Sequence, residues 1–484
     1  MTALAGPIHA KVRMQSVAAG VTARYPSRER PLAHPPAGSD LEPVMGDYGF
    51  PIIGHLLSSI VEPLDFARRR YARFGPVSWA GGVGFRIVSL MGPEALETAW
   101  INKDKAFSSA RGWAPVIGPF FHRGIMLLDF DEHRDHRRIM QQAFTRSALD
   151  GYLALMRPGI RRAVTSWPAA PRFPFYSSVK QLLLDQAAEV FVGTTLGPEA
   201  DELAADFHAT VHGGQAMIRA DVPGGTWARG LRARERLERY FAAQIPARRA
   251  GCGTDLFSML CHSRGEHGER FSDTDIVNHM IFLLMAAHDT SAIAISMLVY
   301  ELGRNTDWQD RLRDEALHNA NDELTLADLD GGYPLLDAAF DEILRMYAPA
   351  GTLFRQALTD TEVAGHFIPR KSQVAINVYA SMRLADWWPD PDRFDPGRFL
   401  GGADARPVHR YAFAPFGGGV HKCLGQQFAD MNVKAVMHQV LRHFDWHVPA
   451  GYRPMMTWGT GPTPADGLPI TLRSRGSEHR RRGT

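Results

Sequence analysis

Apolar positions recur at helical spacing through most of residues 130–350, with no strand–helix alternation of the βαβ kind and no internal repeat. The run from Met280 to Ala287 is continuously apolar and is then broken by His288 and Asp289. The helix that holds it is predicted to start after Ser272, whose Ser-x-x-Asp spacing resembles a capping box. Earlier in the chain, residues 75–91 carry two short apolar runs around Gly81–Gly82–Val83–Gly84, the pattern of a β-hairpin. A dinucleotide loop is excluded there, because G-x-G-x-x-G starting at Gly82 needs a glycine where Ile87 stands. Short strand patterns return over 354–375, around Gly365 and Pro369. Residues 385–420 are rich in aromatics, Pro and Gly, with little periodicity. A helix is predicted from about Gly425 to Phe444 and short strands near 446–472. The expected fold is mainly α, with small β-sheets and one long coil before Cys423. A coil of that length inside a compact chain is usually functional.

The two ends depart from this pattern. Residues 1–40 read as a loosely ordered extension, in which Ala10 to Arg24 forms a short helix with Lys11, Arg13 and Arg24 on a polar side. Arg28, Arg30 and the Pro35–Pro36 run break that helix. A solvated arm and a peripheral membrane or partner contact both fit the extension. Residues 473–484, closing on Arg480–Arg481–Arg482, read as a basic disordered tail. Residues 41–472 are left as a single domain.

Composition narrows the function classes. The 484 residues are 45% hydrophobic and 22% charged, which is globular. A net charge of +2 gives no field that marks the chain for nucleic acid. Three cysteines, Cys252, Cys261 and Cys423, exclude a disulfide scaffold and a four-cysteine cluster. They fit a reducing compartment, so the expected location is the cytoplasm. No signal peptide is read at the N-terminus, and no stretch reaches the ~18 uninterrupted apolar residues of a membrane span.

The chemistry concentrates in Phe416–Gly417–Gly418–Gly419–Val420–His421–Lys422–Cys423–Leu424–Gly425. Three glycines permit a tight turn and the close approach of a planar group. Cys423 then precedes a helix, whose orphan N–H groups and dipole favour a thiolate. Gly425 lets backbone N–H groups approach that sulfur. A thiolate held this way is an axial ligand for haem iron. A lone cysteine is more commonly a small buried hydrophobe. A phosphate loop is excluded, since no strand precedes the glycines and no Gly-Lys-Ser/Thr follows.

The stretch resembles the haem-binding loop of the cytochrome P450 superfamily, Phe-x-x-Gly-x-x-x-Cys-x-Gly. Phe416, Gly419, Cys423 and Gly425 match every fixed position, and His421 stands where the family often has Arg. That His also occurs in the sterol 14-demethylase branch, which the chain resembles. The resemblance implies haem b with Cys423 as the iron ligand, and it extends over roughly residues 42–472.

Other motifs gain meaning beside it. Glu342–Ile343–Leu344–Arg345 puts an acid and a base three apart on one helix face, which alone is worth a few tenths of a kcal/mol. By resemblance, Arg393 of Pro391–Asp392–Arg393–Phe394 joins Glu342 and Arg345 in a buried structural triad. Ala286–Ala287–His288–Asp289–Thr290–Ser291 interrupts an apolar helix with polar groups that need partners or a role. A locally satisfied kink, with Thr290 bonded to the preceding turn, is one reading. By resemblance this is the oxygen-activation segment, with Ala286 beside the haem, Thr290 organising protons and Asp289 relaying them. Ala287 replaces a frequent glycine.

His133–Arg134–Asp135 matches the start of a kinase catalytic loop, but Met140 stands where its Asn is required. His133 and His136 lack a third metal ligand, and a solvated charged helix also fits. By resemblance, His133 and Arg137 hold a haem propionate together with Arg355 and His421. Residues 111–122, Thr352–Leu353–Phe354, Ala216–Met217–Ile218 and Trp458–Gly459 resemble loops lining an apolar cavity.

The resemblance implies a monooxygenase that places one oxygen atom of O2 in an apolar substrate, a sterol, steroid or terpenoid. Electrons would come from a ferredoxin or flavodoxin with its NAD(P)H reductase. A haem-thiolate isomerase or peroxygenase is an alternative, as is a non-catalytic haem-binding carrier or sensor.

Overall fold

The computed structural model describes residues 5–475, apart from 195, 217, 267, 320–323, 402–408 and 459–460. Its largest sheet has seven strands, in the order Arg30–Pro31, Met45–Asp47, Val77–Gly82, Phe85–Leu90, Gln373–Ile376, Leu353–Ala357, Phe107–Ser108. The hairpin read from residues 75–91 is present. Val77 pairs with Leu90 and Gly82 with Phe85, and the turn is made by Val83 and Gly84, both at positive φ. Gln373–Ile376 then joins parallel to Phe85–Leu90 and antiparallel to Leu353–Ala357. Arg355 is thereby fixed opposite Val374, inside the sheet.

Within the stretch read as an extension, part of the described chain packs against the rest. Arg30 and Pro31 pair with Gly46 and Met45, and the Trp79 indole donates to the Arg30 carbonyl at 3.0 Å. Proline is tolerated because this is an edge strand. The helix Ala5–Ala23 docks through buried Ala19 and Thr22, and Ser58 Oγ donates to the Ala19 carbonyl at 3.3 Å. The side chains of Lys11 and Arg13 lie outside the described residues, as does the tail beyond 475. Arg473 and Ser474, read as the start of a tail, pair with Asp445 and Phe444.

The helical bulk is organised around Asp273–Leu302. Ser272 caps it, its Oγ accepting from the Asp275 N–H at 3.1 Å. This helix is long and apolar enough to cross a membrane, but it is wrapped by the helices Phe175–Gln186, Thr226–Ala250, Pro334–Tyr347 and Gln426–His443. A helix apolar on every side belongs in a core of this kind.

The coil before Cys423 is pinned from below. Glu342 and Arg345 are fully buried and doubly bonded, Nε to Oε2 at 2.6 Å and Nη2 to Oε1 at 2.9 Å. Arg345 also donates to the carbonyls of Met382 and Pro391, and Glu342 accepts from the Asp395 N–H at 2.9 Å. The third member is not Arg393, which is two-thirds exposed and paired with Asp395. Arg398 takes that place, with Nε 3.5 Å from Glu342 Oε1. The turn Pro396–Phe399, capped by Asp395, delivers it there. Removing one partner from such a buried set leaves an uncompensated charge and costs about 3–5 kcal/mol.

Candidate active site

The loop 416–425 closes on itself. The Cys423 N–H donates to the Phe416 carbonyl at 2.9 Å and the Lys422 N–H to the Gly419 carbonyl at 3.2 Å. Gly417 and Gly419 lie at φ of 72° and 62°. A Cβ at Gly419 would sit 1.9 Å from the Trp100 carbonyl, and one at Gly418 would meet the Trp100 and Tyr411 rings. Glycine is therefore required at 419 both by backbone angle and by the approach of Trp100. Gly425 differs: its φ of −87° suits any residue, and no protein atom lies within 4 Å of a Cβ placed there. The protein's own packing gives no reason for glycine at 425.

Cys423 stands just before the helix Gln426–His443, which Gly425 precedes. Its side chain is exposed by surface area, yet burial pushes its thiol up. The Gly425 N–H, Arg137 and Lys422 act in the opposite direction. The two observations agree if the sulfur lies deep in the molecule and opens onto an internal space. Among the described residues no group of three or more His, Cys, Asp or Glu is arranged to hold a metal ion, so His133 and His136 are not joined by a third ligand. His136 instead meets His279, Nδ1 to Nε2 at 2.8 Å.

Four basic groups from three parts of the chain converge near this sulfur. His133 and Arg137 project from one face of the helix Phe130–Gln141. Arg355 comes from the central sheet and His421 from the Cys423 loop. The His133 and His421 rings are 3.9 Å apart. Burial, with Arg137 and Arg355 nearby, pushes His133 down to about 4. Burial, Arg355, His133 and Arg137 hold His421 well below its usual range. Burial lowers Arg355 to about 10, against the pull of Asp129. Arg137 is lowered by burial and raised by Cys423, which places it beside the sulfur. His133 Nδ1 is buried without a protein partner. Two guanidiniums and an unpartnered ring nitrogen, so weakly neutralised, fit a group that brings carboxylates to this point. With the sulfur beside them, the residues present suit a haem.

Asp129 was not singled out from the sequence. Its Oδ1 accepts from the Ser109 and Ala110 N–H groups at 2.7 and 3.2 Å, and its Oδ2 from Ser108 Oγ. It ties the start of the His133 helix to the neighbouring strand.

In the polar segment of the long helix Thr290, Asp289 and His288 are satisfied internally, while the buried Ser291 hydroxyl has no partner among the described residues. Thr290 Oγ1 donates to the Ala286 carbonyl at 2.7 Å. Asp289 is buried and takes Lys180 Nζ at 3.1 Å and His288 Nδ1 at 3.1 Å. Sequence reasoning missed Lys180 and gave His288 no role of its own. Lys180 is far away in the chain, and no local pattern links it to Asp289.

The expected cavity-lining loops are changed in two respects. Residues 111–122 fold largely as a helix, Ser109–Phe121, in spite of Pro115 and Pro119, because Ser108 Oγ caps it at the Arg111 N–H. Its Trp113 meets Phe354 edge to face at 5.1 Å. A Cβ at Gly112 would lie 2.4 Å from the Arg355 backbone, so this helix is seated on the strand that carries Arg355. Ile218 is 75% exposed and lines no enclosed space. Trp458 packs on Tyr379 at 5.2 Å. Met217 and Gly459 lie outside the described residues.

Comparisons with known proteins agree with this geometry. A cytochrome P450 family model matches residues 44–462. The chain is 42% identical over 453 residues to cytochrome P450 136 of Mycobacterium tuberculosis, covering 92% of each. It is 25% identical over 438 residues to lanosterol 14-alpha demethylase of Rattus norvegicus, covering 88% of this chain and 86% of the other. The likeness to the sterol branch is thus the more distant one. The solved structure of retinoic acid bound cyanobacterial CYP120A1 superposes with a TM-score of 0.79 at 26% identity, over 88% of this chain and 98% of that one.

Proposed function

The chain belongs to the cytochrome P450 family, and from that premise we propose how its residues divide the work and what it acts on. It is a haem-thiolate monooxygenase with haem b as cofactor, O2 and an apolar compound as substrates, and electrons from redox partners. When bound, the haem supplies the binding and reductive cleavage of dioxygen.

Cys423, held in the loop by the Phe416 carbonyl and the glycine turn, would hold the haem iron through its sulfur. His133, Arg137, Arg355 and His421 would hold the propionates. The observation that carries this assignment is the convergence of those four groups on the Cys423 side with so little carboxylate to neutralise them. Asp289 and Thr290 hold and pass protons, and Ala286 lines the helix face beside them. Trp113 and Phe354 form an apolar wall. Lanosterol and retinoic acid, in the names of two relatives, are both isoprenoid, and an isoprenoid is the substrate class we propose. Binding-difference spectra across a lipophilic library, followed by product analysis, test this. Sterols, retinoids or other terpenoids should give the largest displacement signal and a product one oxygen heavier. A preference for flat aromatic or fatty-acid ligands would overturn it.

A ferredoxin or flavodoxin served by an NAD(P)H reductase is the proposed donor. It docks at Arg134, Arg138 and Lys422, which are exposed, the first two on the helix that carries Arg137 and the third in the Cys423 loop. Reduction should slow as salt rises and under charge reversal at Lys422, with substrate affinity unchanged. Salt-independent reduction would remove this assignment.

The cytoplasm is the proposed location, with a peripheral lipid contact through the N-terminal region. Met14, Val17 and Val21 on the first helix, Leu56 and Ile60 on the helix it packs against, and Ile52, Val83 and Phe85 at the hairpin turn are all exposed. The Val83 N–H donates to the Ile52 carbonyl at 2.8 Å, joining the hairpin to this surface. Such clusters mark interaction surfaces. Charged substitutions at Val17 and Phe85 should release the protein from anionic vesicles.

A further inference from the structure

The residue before Asp289 has a hydrogen-bond count that a neutral side chain cannot meet. His288 is 2% exposed. Its Nδ1 lies 3.1 Å from Asp289 Oδ1 and its Nε2 lies 3.2 Å from the Lys180 carbonyl oxygen. Both neighbours are acceptors, and a neutral imidazole has one N–H. In either neutral tautomer a ring lone pair would face an oxygen in the interior, where an unpaired polar group is expensive. A proton on each nitrogen turns both contacts into donations.

The surroundings decide where that proton resides. Burial pushes the Asp289 carboxyl up, but His288 and Lys180 outweigh it and hold the group well below the usual carboxylate range. Asp289 is thus the ionised member and the counter-charge. From the helix Phe175–Gln186 come Lys180 and Tyr176, the ammonium lying 5.7 Å from the Tyr176 ring centre. From the helix Pro198–Gly214 come Phe207 and His208, each ring 5.7 Å from that of His288. His208 is pushed down to about 4 by burial, Lys180 and His288, so it contributes no charge near neutrality. The cluster then holds two cations, Lys180 and His288, around one carboxylate.

We propose that His288 is an imidazolium that stores one proton against Asp289 and positions its carboxylate beside Thr290. This rests on the reading of Asp289 and Thr290 as the proton-handling pair. In transfer the proton moves from His288 Nδ1 to Asp289 Oδ1 and passes from there to water at the Thr290 hydroxyl. His288 is left neutral, its remaining N–H on the Lys180 carbonyl. One proton from solvent then restores the ring, so the pair is unchanged after each cycle.

The test is 15N spectroscopy of histidine-labelled holoenzyme, reduced and carbon monoxide-bound so that it is diamagnetic, at pH 8. His288→Gln, or His288→Asn if the first does not retain haem, assigns the signal by its loss. The expected result is one histidine with both ring nitrogens protonated at a pH where exposed histidines are neutral. A bare nitrogen on His288 at pH 8 overturns the proposal. The visible spectrum of the same sample reports sulfur ligation separately, so failure here is distinguishable from failure of the haem-thiolate reading. Turnover supplies the second readout: the wild type should lose rate on an alkaline limb. The variant should be at least ~10-fold slower, since a relay contributes ~10²–10⁴-fold, and should lack that limb. An identical limb in both would also overturn it.

Discussion

The imidazoles of His133 and His421 lie with ring centres 3.9 Å apart and planes 33° from parallel. Two like-charged rings would not be held so close, and both are pushed toward the neutral form by burial and by Arg137 and Arg355. The lasting positive charge at this point therefore belongs to the two guanidiniums, and the imidazoles would serve a bound haem only as uncharged hydrogen-bonding partners.

That division predicts unequal effects on haem retention. Arg355→Gln removes a buried charge worth about 1.5–3 kcal/mol to an ionised partner, or about 10–100-fold in haem affinity. His133→Gln keeps a donor and should lose less. Haem transfer to an excess of scavenging apoprotein gives both numbers. Equal losses would contradict the division.

The pinning of the coil predicts a contrast between two nearby arginines. Arg398→Ala should strand part of the Glu342 charge, lower Tm by several degrees and reduce haem incorporation. Arg393→Ala, on an exposed pair with Asp395, should change stability by less than about 1 kcal/mol. Thermal melts of the two purified variants decide it.

This contrast also marks the limit of the sequence. Arg393 and Arg398 sit in two similar runs, Pro-Asp-Arg-Phe and Pro-Gly-Arg-Phe, within a coil that has no periodicity to orient either. Only the folded path, with Asp395 capping the turn Pro396–Phe399, separates them. Periodicity did reveal the hairpin at 77–90 and the start of the long helix at Ser272, because both are written in local spacing. Residues 111–122 were read as loop by resemblance, and the Ser108 cap and the seat on the Arg355 strand make most of them helical. The Cys423 loop was legible because glycine at 419 answers a steric demand that no other residue meets. Lys180 was not, because its bond to Asp289 is purely tertiary.

Thr290 tests proton handling against helix packing. Its hydroxyl donates to the Ala286 carbonyl, so Thr290→Ala removes one internal bond and costs about 1 kcal/mol. Haem should be retained, while more of the reductant ends as hydrogen peroxide and less as oxidised product. Coupling efficiency and Tm on the same samples separate the two roles. Full coupling would leave Thr290 as a packing residue.

Acid stability should be governed partly by His279. Burial, with His136 adjacent, holds it at about 3. A histidine depressed in the folded state binds its proton more readily when unfolded. Its contribution is therefore complete above about pH 6.5 and is lost as pH falls toward 3. Denaturant midpoints between pH 7 and 4 should fall more steeply in the wild type than in His279→Gln. Parallel curves would place the acid sensitivity elsewhere.

The central claim is that Cys423 ligates iron as a thiolate, and the carbon monoxide difference spectrum of the reduced protein tests it most directly. The wild type should show the red-shifted Soret band of sulfur ligation, and Cys423→Ala should lose both that band and turnover. Persistence of the band in Cys423→Ala would contradict the account and move the ligand to Cys252 or Cys261.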